Sequence, residues 1–531
     1  MAQAEQSDQV ARAPALTMPP LRAAGFLLTA AVLAAAQGFS QNMVSANVQQ
    51  LQGAFGATQA QTSLMVAVYM APNVSLTAAL IKIRAQFGLR NFAEISIIFF
   101  IAATLLNYAA SDFYSTLGVR FISGVAAAPM TSLAFLYTLE PFPPERKLTW
   151  GLCFVLTVIF IAAPLTRLIS PHLLEVGLWH GLTAMEVALA AICLGLIYIF
   201  PLASPPREKT IQGADVISFI LIAASFGSLA VVFVLGPVYW WTEHDWLGWM
   251  LAAALGALAL GAVAELNRKT PLLDIRWLSS PSMLHFASTM LLFRLVLSEQ
   301  TSGAAGFFRT LGLLNDQMQV LWAIILGATI LGGAICALTM KPGREPWFHV
   351  VALGLLIAGS LMDARVTSQT GPEQMYLSQL MIALAAALFL PPALSLGMRS
   401  ALARGREYIL SFIIVFLITQ KIGGIFGGAV FSSFIQIRQR LHLERLYEAM
   451  PATNPLVAER LAALAGAVAD PSQRAAQAAR SLGGQAAQQA AVMAYGDAFH
   501  MVAWVSALAL ALLLGHIALT ALRGDAAESD D

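Results

Sequence analysis

Long apolar stretches alternate with short polar segments along almost the whole chain. Fourteen of these stretches approach or exceed the roughly 20 residues that an α-helix needs to cross a bilayer. The predicted spans are 22–42, 61–83, 92–110, 115–139, 148–170, 180–202, 215–237, 247–266, 283–305, 319–340, 347–363, 375–398, 409–434 and 497–522. The pattern therefore predicts an all-α integral membrane protein, in which the ninth span carries charged residues and the eleventh is the shortest.

The basic residues of the connecting segments give an independent test of this count. Cytoplasmic loops of membrane proteins concentrate lysine and arginine. If the N-terminus is cytoplasmic, every inside loop carries at least two basic residues, whereas the six outside loops before residue 400 carry only Arg309 and Arg365. The inside residues are Arg84, Arg90, Arg146, Lys147, Arg207, Lys209, Arg268, Lys269, Arg276, Lys341, Arg344, Arg399, Arg404 and Arg406. This alternation predicts an even number of spans with both termini cytoplasmic.

One outside segment, 435–496, is much longer than the others. It carries six arginines, but long loops cross the membrane largely regardless of their charge. From Pro455 onward it is rich in Ala, Gln and Arg. Asp470-Pro471 is typical of a helix start, and Gly483-Gly484 is typical of an interruption. The segment predicts two or three short amphipathic helices outside the membrane, and the alternative is a disordered Ala-rich linker.

Composition agrees with this pattern of spans. Of the 531 residues, 58% are hydrophobic and only 11% are charged, whereas a soluble domain carries about 25% charged residues. The net charge of +1 does not suggest nucleic acid as a partner. Cys153, Cys193 and Cys336 all lie in apolar stretches, so we expect neither disulfides nor a metal site.

Seven short segments carry a resemblance to a known family. They are 51–57 (LQGAFGA), 68–71 (VYMA), 87–90 (FGLR), 120–124 (RFISG), 271–276 (PLLDIR), 423–428 (GGIFGG) and 489–499 (QAAVMAYGDAF). In their order, and in their places on the fourteen-span pattern, these segments resemble the major facilitator superfamily. The resemblance is specifically to the fourteen-helix drug:proton antiporters of the EmrB/QacA type.

The resemblance implies a fold and an order of domains. In the major facilitator fold two six-helix bundles rock about a central site, which gives alternating access. The family inserts two extra central helices, here the seventh and eighth spans. The implied parts are a cytoplasmic tail (1–21), an N-terminal bundle (22–202), a linker with the two extra spans (203–266), the C-terminal bundle (267–434), an extracytoplasmic helical loop (435–496), and the last span with a cytoplasmic tail (497–531).

Charged residues inside the spans are candidates for function, because a charge at mid-bilayer costs about 2.5 kcal/mol or more. Arg120, Ser123 and Gly124 share one helix face, and the corresponding arginine of the family helps to couple proton movement to transport. Glu186 is the only carboxylate deep in the N-terminal bundle, and a carboxyl group in a low-dielectric site can bind and release a proton near neutral pH. Arg120, Glu186 and Arg167 are therefore the candidates for proton coupling. The alternative is structural, with Glu186 neutralised by Arg167 on the preceding span.

The remaining candidates form a cavity set and a packing set. Arg294 and Lys421 predict a cationic cavity in the C-terminal bundle, which suits an anionic or zwitterionic cargo better than a lipophilic cation. The candidates for lining the substrate cavity are Gln37, Gln41, Arg294, Glu299, Gln420 and Lys421. Small residues allow helices to pack closely in a membrane, or to move against each other. The candidates for packing or gating are Pro164, Gly423, Gly424, Gly427 and Gly428.

The resemblance implies a secondary-active exporter of drugs or metabolites, coupled to protons by antiport, in a bacterial inner membrane. It also implies a periplasmic adaptor of the HlyD/EmrA type and an outer-membrane channel as partners, with 435–496 as the contact. Two departures from the family favour a second hypothesis, a dedicated exporter of an acidic natural product such as a siderophore or an aromatic acid. The first span lacks the family's Asp, and the cavity is cationic. Since the sequence has no P-loop, metal cluster or nucleophile motif, an embedded enzyme or a non-transporting sensor is a remote alternative. We expect no cofactor besides the proton gradient.

Overall fold

The computed structural model describes residues 16–110, 112–203, 209–268, 271–341, 343–451 and 453–528, and these residues form helices and connecting turns without a strand. The helices that match the predicted spans are α1 Pro20–Ala46, α2 Gln59–Leu76, α3 Leu89–Leu106, α4 Phe113–Leu139, α5 Ala162–Gly177, α6 Trp179–Ile199, α7 Gly213–Tyr239, α8 Asp245–Leu266, α9 Pro281–Val296, α10 Gln319–Thr339, α11 Glu345–Asp363, α12 Tyr376–Leu402, α13 Arg406–Ala449 and α14 Arg474–Glu528. Arg207, Lys269 and most of the predicted tail 1–21 lie outside the described residues.

Thirteen of these helices, together with the short helical turns that extend some of them, are long and apolar enough to cross a membrane. The exception is α2, in which Thr62, Asn73 and Ser75 lower the apolar content. These polar side chains are buried, and α2 packs between α4 and α7. The protein is therefore an all-α, multi-pass membrane protein with about fourteen spans, and the predicted fold class is confirmed.

Several of the spans are interrupted helices, among them the second, in which a turn at 77–79 separates α2 from the helix Leu80–Phe87. The fifth begins with the helix Leu152–Phe160, breaks at Ile161 and continues as α5. The ninth continues from α9 through the π-helical turn Glu299–Ala304 into the short helix Ala305–Thr310. A π-turn inserts one extra residue into a helix and shifts the direction of the side chains around it, and such turns occur often at functional sites.

The helices form two bundles, α1–α6 and α9–α14. Phe26, Phe100 and Leu133 belong to an apolar cluster of the N-terminal bundle, whereas Phe412 and Phe499 belong to a larger cluster that extends from the C-terminal bundle to the fourth and fifth spans. The helix α7 packs against both α2 and α13, and α8 packs against α7. The two additional helices are thus attached to the bundles through α7.

The bundles also touch each other near both ends of the membrane-spanning region. We call the membrane face at which α1 begins the near face, and the face at which it ends the far face. Toward the far face, Asn315 Nδ2 donates a hydrogen bond to the carbonyl oxygen of Ala46 over 2.7 Å. Toward the near face, the rings of Phe135 and Phe416 lie 6.1 Å apart at an interplanar angle of 75°. In this conformation the bundles are therefore in contact at both faces.

The segment 435–496, which we call the far-face hairpin, differs from its prediction. The helix α13 has 44 residues and α14 has 55, so both continue beyond a bilayer core that about 20 residues cross. The short helix Pro455–Gly466 lies between them. The predicted interruption at Gly483-Gly484 is wrong, because α14 is continuous there; a Cβ atom on Gly483 would lie 3.7 Å from Tyr447 Oη of α13. The disordered-linker alternative is also wrong for the described residues, which are largely helical.

Candidate functional site

A fully buried arginine joins three helices of the N-terminal bundle. Arg120 on α4 donates from Nη2 to the carbonyl oxygen of Ser40 on α1 over 2.9 Å. Its guanidinium carbon lies 4.2 Å from the centre of the Tyr69 ring on α2, which is close enough for a cation–π contact. Among the described residues, Nε and Nη1 of Arg120 have no hydrogen-bond partner. The arginine therefore holds α1, α2 and α4 together and retains two unused donors.

Glu186 on α6 is the acidic counterpart of Arg120. It is fully buried, and its Oε2 accepts a hydrogen bond from Asn107 Nδ2 over 3.0 Å. The charges of Glu186 and Arg120 act on each other, although in the described part of the chain no basic nitrogen lies within 4.0 Å of the carboxylate. The alternative in which Arg167 neutralises Glu186 is wrong, because the side chain of Arg167 is directed at the other bundle.

The polar groups around this pair have unused hydrogen-bonding capacity. Ser40 Oγ, Tyr69 Oη, Ser123 Oγ and Glu186 Oε1 are buried without a partner among the described residues. A buried donor or acceptor without a partner costs about 1–3 kcal/mol. We call Ser40, Tyr69, Arg120, Ser123 and Glu186 the N-terminal polar cluster. Its chemistry suits a proton or a polar group of a cargo molecule.

Arg167, the third candidate for proton coupling, lies apart from this cluster. Its Nη2 donates to the carbonyl oxygen of Thr301 over 3.4 Å, and its guanidinium carbon lies 4.7 Å from the centre of the Trp322 ring. Thr301 belongs to the π-turn of the ninth span and Trp322 to α10, so both partners are in the C-terminal bundle. Arg167 therefore bridges the bundles in this conformation.

The polar candidates on α1 bond to each other, since Gln37 Nε2 donates to Gln41 Oε1 over 2.7 Å. The same helix packs closely against α5. A Cβ atom on Gly38 would collide with the Cβ atom of Ala162, two residues before Pro164. Pro164 itself is buried. Pro164 thus lies beside a tight contact between α1 and α5.

Lys421 on α13 also connects the two bundles. Its Nζ donates to the carbonyl oxygen of Asn73 and to Thr77 Oγ1, and both distances are 3.1 Å. Gln420, next to it, has its Nε2 3.8 Å from Met290 Sδ on α9. The expected cavity confined to the C-terminal bundle therefore does not describe Lys421, whose ammonium group is held by α2 of the N-terminal bundle.

Arg294 on α9 packs against the glycine face of α13. A Cβ atom on Gly423 would lie 3.2 Å from Arg294 Cγ, and one on Gly424 would collide with the guanidinium group. A Cβ atom on Gly427 would lie 2.7 Å from the carbonyl oxygen of Arg294, whereas at Gly428 the nearest atom is Ser302 Oγ at 3.5 Å. Three of the four glycines therefore make room for Arg294 and its helix.

Glu299 belongs to a second buried polar cluster, which the sequence did not reveal. Its partners are Gln379 on α12 and, through Gln379, Asp363 at the end of α11. In the sequence Asp363 ends an apolar span and adjoins a polar loop, so it looks like a residue of the membrane interface. Only the fold shows that it is 2% exposed. Within the described residues, no group of three or more His, Cys, Asp or Glu side chains is placed to hold a metal ion.

Comparisons with known proteins identify the fold. No family model and no curated protein matches the sequence. The human organic anion transporter MFSD10 (TETRAN) aligns over 92% of this chain and 100% of its own, with a TM-score of 0.55 at 13% identity. A POT family transporter in complex with a thioalcohol conjugated peptide aligns over 78% and 90%, with a TM-score of 0.56 at 13% identity. The proton:xylose symporter XylE of the major facilitator superfamily aligns over 91% and 94%, with a TM-score of 0.50 at 15% identity. The chain therefore has the major facilitator fold.

Proposed function

We propose that this protein is a secondary-active exporter of small molecules, either drugs or metabolites, which exchanges its cargo for protons by alternating access. The observation that supports this most is the buried pair of Arg120 and Glu186 in a two-bundle transporter fold. Buried charges in a membrane protein are costly, and they are retained when they have a partner or a task. Here the pair is surrounded by polar groups that have no hydrogen-bond partner in the part of the chain that the structure describes.

The pair offers a simple link between protonation and helix position. When Glu186 binds a proton, the charge of Arg120 loses its compensation in a site of low dielectric. Arg120 then favours either an anionic group of the cargo or a different arrangement of α1, α2 and α4, which it now joins. A proton can shift the equilibrium between two conformations only if it binds to one of them more tightly. The loss of charge compensation for Arg120 when Glu186 is protonated gives the two conformations different proton affinities.

We further propose that the protein resides in a bacterial inner membrane with its near face toward the cytoplasm. The loops of the near face carry basic residues such as Arg146, Arg268 and Arg399, whereas the far-face loops between spans 1 and 12 carry only Arg309 and Arg365. This asymmetry is typical of a cytoplasmic near face. Both termini are then cytoplasmic, and the protein acts as a transporter and not as an enzyme, with the proton gradient as its energy source.

The proposal predicts gradient-driven uptake by purified protein in proteoliposomes. With an acidic lumen, cargo from a panel of lipophilic cations and aromatic or catecholate acids should accumulate in the vesicles, because outward proton flow drives its entry. A protonophore should abolish the accumulation, and Glu186→Gln should reduce it more than tenfold. The matched control is Glu175→Gln, which changes an exposed carboxylate at the end of α5. Accumulation that does not depend on the proton gradient, or that is unchanged in Glu186→Gln, would contradict proton antiport.

The same panel separates the two cargo classes. An exporter of an acidic natural product, such as a siderophore or an aromatic acid, is favoured by Arg294. It is a basic side chain within a membrane span, and its Nε has no hydrogen-bond partner in the described part of the chain. In that case only the acids should accumulate, and Arg294→Gln should weaken their uptake. A general drug exporter should accept lipophilic cations as well.

We propose that the far-face hairpin docks on a periplasmic adaptor of the HlyD/EmrA type, which leads to an outer-membrane channel. The hairpin continues beyond the membrane spans, and its helix Pro455–Gly466 has no buried residue. It presents exposed apolar side chains at Ile437, Tyr447 and Leu456, whose exposed fractions are 53%, 52% and 72%. Scattered apolar side chains of this kind suit a surface that packs on another helical chain. The alternative is a lid over the far face.

Shortening the tip of the hairpin tests the docking proposal. Replacing 450–473 by a short Gly/Ser linker leaves α13 and α14 intact. We expect loss of adaptor co-purification and of export into the medium, with unchanged uptake in proteoliposomes.

Ser472→Cys in a background without the three native cysteines should be labelled by an impermeant maleimide in intact cells, and Ser279→Cys at the near face should be protected. If the shortened protein still binds the adaptor, the lid alternative stands; the reverse labelling pattern would invert the topology.

A further inference from the structure

Two carboxyl groups lie side by side in the core of the C-terminal bundle. The amide nitrogen of Gln379 donates to Glu299 Oε1 over 2.9 Å and to Asp363 Oδ2 over 2.7 Å. Both carboxyl groups are thus hydrogen-bonded to the same amide nitrogen. Glu299 and Gln379 are 0% exposed and Asp363 is 2% exposed. The arrangement is therefore an acidic pair held together by one amide group.

Each member of this group is positioned by a distinct element of the fold. Glu299 is the first residue of the π-turn in the ninth span, Asp363 is the last residue of α11, and Gln379 lies in the first turn of α12. Gln300 Nε2 donates to the main-chain oxygen of Gln379 over 3.3 Å and so ties the π-turn to α12. The group is thus part of the packed bundle and is not a chance meeting of loop residues.

No cation of the described residues pairs with either carboxyl group. In the ranges that the structure describes, no Lys, Arg or His nitrogen lies within 4.0 Å of either carboxyl group. The charged groups of the neighbouring helices have other partners or positions, as the contacts show. Arg399 of α12 pairs with Glu345, and Lys421 of α13 bonds to Asn73 and Thr77. Arg438 and His442 of α13 both pair with Asp497 of α14. His500 contacts the carbonyl oxygen of Gly496, and Arg365 is exposed.

Electrostatics then limits the charge of the pair. Two carboxylates in contact within a low-dielectric core cannot both remain ionised, because burial and mutual repulsion both disfavour the second negative charge. An amide nitrogen has only two hydrogens, and here each is directed at one carboxyl oxygen. Glu299 Oε2 and Gln379 Oε1 are buried without a hydrogen-bond partner among the described residues, so the site also has two unused polar atoms.

We propose that Glu299 and Asp363, held by Gln379, form a proton-binding site of the C-terminal bundle that holds one shared proton in the conformation described here. This inference rests on the proposed function for its role: the proton would be the exchanged ion, bound and released as the bundles move. The site lies in the half of the ninth span toward the far face. The loop that follows Asp363 contributes Ser368 and Thr370 to an open far-face cavity of about 480 Å³.

Infrared difference spectroscopy of the purified protein tests the site without any cargo. The protein with both carboxyl groups of the site intact should show a carboxylic-acid C=O band that shifts in heavy water and disappears as the pH is raised. The double substitution Glu299→Gln and Asp363→Asn should remove this band, and each single substitution should change the pH at which it disappears. All spectra are taken in a Glu186→Gln background, so that the proposed proton site of the N-terminal bundle contributes no band. Glu175→Gln, which changes an exposed carboxylate at the end of α5, is the matched control and should leave the band in place.

Three results of this measurement would overturn the proposed proton site. A band that survives in the double variant belongs to other groups. A band that does not titrate indicates a permanently protonated structural contact, and a band that sodium removes at constant pH indicates a cation site. If the double variant does not fold, Glu299→Gln alone serves, since it also ends the sharing of one proton. Because the measurement needs no cargo, it stands or falls separately from the proteoliposome assay: a titrating pair with no gradient-driven uptake would refute the exporter and keep the site.

Discussion

Replacing Arg120 with Ala should destabilise the folded protein by about 3–5 kcal/mol and reduce export more than tenfold. Removing one partner of a buried charge pair leaves the other charge uncompensated, and this accounts for most of the cost. In Arg120→Ala the uncompensated group is Glu186, which is fully buried and keeps the hydrogen bond from Asn107. The substitution also removes the hydrogen bond to Ser40 and the contact with the Tyr69 ring. Denaturation in detergent and uptake in proteoliposomes measure the two effects.

A double substitution shows whether the two charges depend on each other. Glu186→Gln in the Arg120→Ala background should restore part of the lost stability, by about 0.5–3 kcal/mol, because it removes the uncompensated carboxylate. Uptake should stay low, since the proposed proton site is then absent. The control is Arg365→Ala, which changes an exposed arginine of a far-face loop and should leave both measurements unchanged. Additive losses of stability would show that the two charges are independent, and wild-type uptake in Arg120→Ala would exclude a coupling role.

Replacing Gly427 with Val should destabilise the contact between α9 and α13 by about 1–3 kcal/mol or more, as overpacking does in other close-packed interiors. Even a single Cβ atom at this position would lie 2.7 Å from the carbonyl oxygen of Arg294 and 2.7 Å from Ser298 Oγ. The first of these atoms belongs to the main chain, so the helices would have to separate. Thermal unfolding in detergent measures the change.

The neighbouring glycine provides the control for this substitution. A Cβ atom on Gly428 meets only Ser302 Oγ at 3.5 Å, an ordinary contact, so Gly428→Ala should be tolerated. Equal stability of Gly427→Val and the wild type would show that α9 and α13 are not in tight contact in the membrane. A stable Gly427→Val protein without uptake would instead favour a gating role over simple packing for this glycine.

The number and order of the spans could be predicted because they are local properties. A lipid-exposed segment must satisfy its backbone hydrogen bonds internally, so each apolar stretch of sufficient length forms a helix. This holds even for the ninth span, whose π-turn the pattern does not predict. The helix α2 is a partial exception to this rule. It matches a predicted span, but it is too polar to be identified as a membrane span by its apolar content alone, because its polar side chains are covered by other helices and not by lipid.

Beyond the membrane the local signal was weaker. Gly483-Gly484 predicted an interruption, since glycine costs about 1 kcal/mol relative to alanine in a helix. The structure has a continuous helix there, and Gln439 Nε2 of α13 donates to the carbonyl oxygen of Ala487 on α14 over 3.4 Å. Packing of the two helices against each other outweighs the low helix propensity of the glycines. Such a contact depends on a segment some forty residues away, which a local pattern does not contain.

The sequence by itself determined the all-α membrane architecture, the segments that resemble the major facilitator superfamily, and the presence of charged residues in the spans. Only the tertiary structure decided how those charges are matched. It directs Arg167 at Thr301 instead of Glu186, holds Lys421 against α2, and places Asp363 beside Glu299. Helical periodicity states which residues share a face, but the partner of a buried charge lies on another helix. That partner is determined by the packing of the whole bundle, in which each charge must be compensated across a low dielectric.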